Sequence, residues 1–139
     1  MIDIGSGHAT LIRADVLCDR FPVETTQRHI PAIYMPVGRF VVGDIQDLPF
    51  KDNAFNYAYC CNILEHLPDP AKACSEISRI ASSGLIRTPS WLWEIMGGSA
   101  AHLWLISVKN NKLIFRRKTH DDQALHSRIP ENIRNSKPY

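Results

Sequence analysis

No apolar run in the chain approaches the ~20 residues that cross a bilayer. Its start, Met1-Ile2-Asp3-Ile4, carries no basic segment, no apolar segment and no small-residue cleavage site of a secretory leader. Neither a membrane span nor export is expected, and the sequence predicts a cytoplasmic protein. The four cysteines (Cys18, Cys60, Cys61, Cys74) contain no C-x-x-C pair. That spacing argues for reduced thiols and against a disulfide framework or a cysteine metal centre; no metal is expected. Nine Pro and seven Gly in 139 residues are too few for a low-complexity chain. No internal repeat is visible.

What remains is 45% hydrophobic and 22% charged, a composition that suits one compact domain. Net charge is only +2, but it is unevenly spread. Between residues 109 and 139, eight basic residues (Lys109, Lys112, Arg116, Arg117, Lys118, Arg128, Arg134, Lys137) face three acids (Asp121, Asp122, Glu131). This tail lacks the interleaved aromatics of a base-stacking platform, so it reads as a solvated basic face and not as a nucleic-acid site. Residues 1–118 are expected to form the domain and residues 119–139 a basic, flexible tail, with disorder from Pro130 to Tyr139.

Short apolar runs alternate with turn signals, which predicts strands buried on both faces of a mostly parallel sheet. The candidate strands are Met1–Asp3, Asp15–Cys18, Phe40–Val42, Tyr57–Cys61 and Leu85–Arg87. The clearest helix follows Asp69 as N-cap and Pro70 at the first helical position. It sets Cys74, Ile77 and Ile80 or Ala81 on one stripe, with Gly84 as its stop signal. A short helix is expected over Trp91–Met96, ended by Gly97-Gly98. Two β-rich runs, Leu103–Val108 and Leu113–Arg117, meet at Asn110-Asn111, a pair suited to a tight hairpin turn. The fold class predicted is α/β, a Rossmann-like doubly wound sheet with the C-terminal hairpin as an antiparallel edge. Only His8 to Ala14 separates the first glycine turn from the second strand, so the first crossover helix is expected to be reduced to a loop.

Candidate chemistry lies at the strand ends. Asp3-Ile4-Gly5-Ser6-Gly7 puts an acid before a glycine turn that lets a ligand approach backbone. Thr10 stands where a dinucleotide G-x-G-x-x-G fingerprint needs its third glycine, which argues against a nicotinamide oxidoreductase. Asp19 closes the second strand, where a carboxylate can accept both hydroxyls of a ribose. Asp44-Ile45 closes the third and pairs an acceptor for an amino group with an apolar wall for an adenine. Glu65-His66 is the acid–imidazole pair just past the fourth strand: either could deprotonate an acceptor, or Glu65 hydrogen-bonds backbone and His66 caps the short helix before Pro68.

Taken together, Asp3-Ile4-Gly5-Ser6-Gly7, Asp19, Gly43-Asp44-Ile45-Gln46-Asp47-Leu48-Pro49-Phe50, and Phe55-Asn56-Tyr57 through Asn62-Ile63-Leu64-Glu65-His66-Leu67-Pro68-Asp69-Pro70 resemble class I S-adenosylmethionine-dependent methyltransferases of the type 11 kind. The resemblance covers about residues 1–90 and departs from the pattern at Ala9, in place of a third motif glycine, and at Asn56, in place of an acid. It implies S-adenosylmethionine as cofactor and a small-molecule acceptor. Asp3, Gly5, Ser6 and Gly7 would surround the methionine end, Asp19 the ribose, Asp44 and Ile45 the adenine, and Asn62 would approach by its main chain. Glu65 and His66 are the candidate catalytic residues. The chain begins inside the first strand, without the covering helix usual in that family. An open apolar face, and with it a homodimer, is expected. The alternative is a non-catalytic remnant of such an enzyme serving as a binding module.

Overall fold

The computed structural model describes residues 1–7, 10–22 and 39–122. They fall into two compact units, one of residues 1–64 and 69–87, the other of residues 65–68 and 88 onward. Among the described residues, no helix is long and apolar enough to cross a membrane. The expectations for His8, Ala9 and residues 123–139, including the disordered stretch, lie outside the described residues.

The first unit is a five-stranded, all-parallel sheet: β1 (Ile2–Ile4), β2 (Val16–Asp19), β3 (Phe40–Val42), β4 (Ala58–Cys61) and β5 (Gly84–Arg87), in the order β3-β2-β1-β4-β5. This is the Rossmann-like α/β arrangement expected, with every strand within one residue of its expected bounds. β1 lies at the centre and all three of its residues are buried, as are Leu17, Cys18, Ala58 and Cys60 beside it. Burial on both faces does not extend to the edges: Val42 on β3 and Leu85 on β5 are exposed. An edge strand has a neighbour on one side only, so its side chains are less enclosed than those of β1. Residues 10–15 hold turns and no helix, as the short β1–β2 spacing requires.

Helix α1 (Pro70–Ile80) connects β4 to β5. The Asp69 carboxylate accepts from Lys72 N at 3.0 Å, satisfying one of the free amides of the first turn. Its buried stripe is Pro70, Ala73, Ile77 and Ile80, so Ala73 takes the inward place expected for Cys74, which is only half-buried. Gly84 is not the stop. The helix ends at Ala81, whose N–H returns to Ile77 O at 3.1 Å, and Gly84 opens β5. A Cβ on Gly84 would lie 2.5 Å from Ala58 O, so the glycine serves the close approach of β5 to β4. On the outer side of α1, Arg79 donates to Leu48 O at 3.0 Å and Phe50 O at 2.7 Å, and Glu76 accepts from Leu48 N at 2.8 Å. These bonds fix the loop that follows Asp44 and Ile45.

The second unit contains α2 (Trp91–Gly97) and a hairpin, β6 (Trp104–Lys109) and β7 (Lys112–Arg117). Ser90 caps α2, accepting from Trp93 N at 3.2 Å. Asn110 and Asn111 turn the hairpin with φ of 50° and 58°, the left-handed values that a two-residue turn demands. The hairpin is a sheet of its own and not an edge of the parallel one. Along its length Trp104 meets Phe115 edge-on at 6.3 Å, and Arg117 lies over the Trp104 ring at 5.6 Å.

Candidate functional site

The register of the parallel sheet brings its strand-end acids to one border. Ile4 pairs with Cys18, Cys18 with Val41 and Asp19 with Val42, so the glycine turn, Asp19 and Asp44 follow one another along the carboxyl edge of three adjacent strands. In open α/β sheets this edge is where ligands bind. Gly5 and Gly7 both have positive φ, 71° and 48°. A Cβ on Gly5 would fall 2.3 Å from Ile63 Cδ1, so both the turn and the packing beneath it require glycine.

The acids hold the turn together. Asp19, buried, accepts from Gly7 N at 2.9 Å and from Phe21 N at 2.8 Å. Asp3, also buried, accepts from Leu11 N at 2.7 Å. Burial pushes the Asp3 carboxyl above its usual range; the Leu11 amide opposes this, and the nearby Asp19 charge adds to it. Asp44, half-buried, accepts from Gln46 N at 2.9 Å and pairs with Arg20 at 3.1 Å. Ile45 beside it is buried. Ser6 is buried within the glycine turn, and its hydroxyl has no hydrogen-bond partner. Asn62, past β4, is exposed with φ of 54°, and its amide donates to Arg87 O at 2.9 Å. The cysteines are free thiols, and burial with the Asp19 charge pushes Cys18 up to about 12.

Glu65 and His66 belong to the second unit, where they meet residues that sequence reasoning did not single out. Glu65 is 1% exposed and neither carboxylate oxygen has a partner. Burial raises its carboxyl, only partly offset by its own backbone and by His102. The His66 ring meets that of His102 edge-on at 4.5 Å. Its Nδ1 is buried and unpartnered, and burial followed by His102 lowers its basicity. His102 Nδ1 bonds Glu94 Oε2 at 2.7 Å, while Lys118 Nζ donates to Glu94 Oε1 at 2.8 Å and to Ser99 O at 3.0 Å. Burial raises the Glu94 carboxyl, but His102 and Lys118 together hold it below its ordinary value. No spacing signal links Glu65-His66 to His102, because the hairpin and α2 bring them together through contacts distant in sequence.

Comparison with known proteins gives a family match over the sheet. The model of a methyltransferase-domain family matches residues 2–86, from β1 into β5. A curated relative, the ajmaline N-methyltransferase of Rauvolfia serpentina, is 42% identical over 45 residues. Those residues are 32% of this chain, and the match spans only 16% of that relative's length. No solved structure matches.

Proposed function

Because the chain belongs to the methyltransferase-domain family, we propose that it binds S-adenosylmethionine at the carboxyl edge of β1, β2 and β3 and transfers the methyl group to a small-molecule acceptor. The observation that carries this reading is the run of strand-end groups along that edge: Asp3 and the glycine turn, then Asp19, then Asp44-Ile45. The buried, unpartnered Ser6 hydroxyl fits a polar ligand group brought against the turn. A carboxylate oxygen can accept more than one hydrogen bond, so Asp19 can hold the turn and still take ribose hydroxyls. Asp44 suits the amino group of an adenine and Ile45 its ring face. The bound cofactor would supply a methyl group on a sulfonium, an electrophile that asks the protein for position more than for covalent help. The residues of the edge therefore bind and orient, and keep backbone close to the ligand. A small-molecule acceptor is supported by the relative named for N-methylation of ajmaline.

Calorimetric titration of the full chain with S-adenosylhomocysteine tests this. Saturable binding is expected, with no heat from NAD. Asp19→Ala should weaken binding by roughly tenfold or more, the effect of losing a charge-assisted hydrogen bond of about 1.5–3 kcal/mol. A folded chain that gives no heat, or an unchanged affinity in the Asp19 variant, would overturn the reading.

A further inference from the structure

The geometry points to a divalent transition-metal site in the second unit, with Glu65, His66 and His102 as ligands and Glu94 as the residue that positions His102. One ligand atom from each of the three lies within 4.8 Å of the other two. A tetrahedral centre with bonds of about 2.0–2.2 Å needs its ligands about 3.5 Å apart, so closing the site takes roughly 1 Å of side-chain movement.

Three independent features favour a cation here over a chance cluster. Glu65 is 1% exposed with both oxygens lacking a donor, although a buried carboxylate is retained only when something compensates it. His66 Nδ1 is likewise buried and without a partner, while a hydrogen bond to the Ala101 backbone holds the ring. His102 is held through Nδ1 by the Glu94 carboxylate at 2.7 Å, which orients the ring and leaves Nε2 as the nitrogen able to take a cation. A histidine whose far nitrogen is anchored by a carboxylate is the usual arrangement around protein-bound zinc. His102 and Lys118 both hold Glu94, which leaves Glu65 as the buried carboxyl of the cluster that no side-chain donor reaches. Two imidazoles and one carboxylate favour zinc(II) and its first-row neighbours over magnesium or calcium, which prefer all-oxygen shells. Three protein ligands leave a fourth position for water or a bound group. Glu65 and His66 fall within the family match at residues 2–86 and His102, Glu94 and Lys118 beyond it; the inference does not depend on S-adenosylmethionine binding, since zinc uptake is read without the nucleotide.

The test is titration of the chelator-treated full chain with zinc chloride by calorimetry, and with cobalt(II) by visible spectroscopy. One equivalent of zinc is expected to bind, and cobalt should give ligand-field bands without the sulfur charge-transfer absorption of a cysteine site. Glu65→Gln, which keeps size and shape, and His102→Ala should each weaken zinc at least a hundredfold, and Cys60→Ser with Cys61→Ser should leave it unchanged. Glu94→Gln should retain the stoichiometry and the cobalt bands but lose tenfold to a hundredfold in affinity, the size of effect typical of a residue that orients a ligand. Circular dichroism establishes that each variant is folded. Zinc affinity unchanged in Glu65→Gln, magnesium bound as tightly as zinc, or a folded wild-type chain that takes up no zinc would overturn the site.

Discussion

The two units handle buried carboxylates in opposite ways. In the parallel-sheet unit, Asp3 and Asp19 take backbone amides: Leu11 for Asp3, and for Asp19 both Phe21 just past its own strand and Gly7 in the turn after the neighbouring β1. In the second unit, Glu94 is held by the side chains of His102 and Lys118, and Glu65 has no donor. Backbone-held acids arise where strand ends meet tight turns, so main-chain amides of the same border supply their donors. Acids held by side chains depend on residues far apart in sequence, so their stability is tied to the charges around them.

The largest expected effect probes that dependence. Glu94→Ala leaves Lys118, 7% exposed, and His102 without their partner, and breaking a buried pair in this way costs about 3–5 kcal/mol. All three tryptophans, Trp91, Trp93 and Trp104, lie in the second unit, so its unfolding is read by tryptophan fluorescence in urea. A sharply lower midpoint is expected, and an unchanged one would mean that the pair contributes no net stability. Gly5→Ala should cost less, about 1–3 kcal/mol, by crowding Ile63 and by forcing a Cβ into positive φ. Adding Ile63→Ala should recover the crowding part but not the backbone part, as read from thermal melts of the sheet unit by circular dichroism.

The smallest effect concerns pH. The Arg79 guanidinium holds Glu76 at about 2, below its ordinary 4.5. A carboxyl with a lowered folded value contributes stability that is fully present above 4.5 and is lost as pH falls towards about 2. Glu76→Gln should therefore melt slightly below wild type at neutral pH and equal to it near pH 2. A gap of constant size across that range would mean that Glu76 acts by packing alone.

The same contrast explains what could be read in the sequence. The five strands, the Asp69-Pro70 helix start and the Asn110-Asn111 turn all rest on neighbours a few residues apart, and they lie where local chemistry predicts. The acids follow from the strands: Asp3 lies within β1 just before its last residue, Asp19 ends β2, and Asp44 follows β3 after Gly43. Gly84 was misread as a helix stop because its reason, the Ala58 carbonyl on the adjacent strand, is a tertiary contact. The hairpin reads locally as an edge of the parallel sheet, but β6 and β7 pair with each other as a separate sheet. His102, Glu94 and Lys118 had no local signal, and only the second unit's packing brings them to Glu65-His66.

The central claim is that the carboxyl edge of β1, β2 and β3 is the cofactor site. It is tested most directly by amide nuclear magnetic resonance of the full chain during titration with S-adenosylhomocysteine. The account predicts saturable shifts at Gly5, Ser6, Gly7, Arg20 and Ile45, the amides around the glycine turn and the ends of β2 and β3. Saturation with those amides unmoved, or shifts confined to residues 88–122, would contradict it.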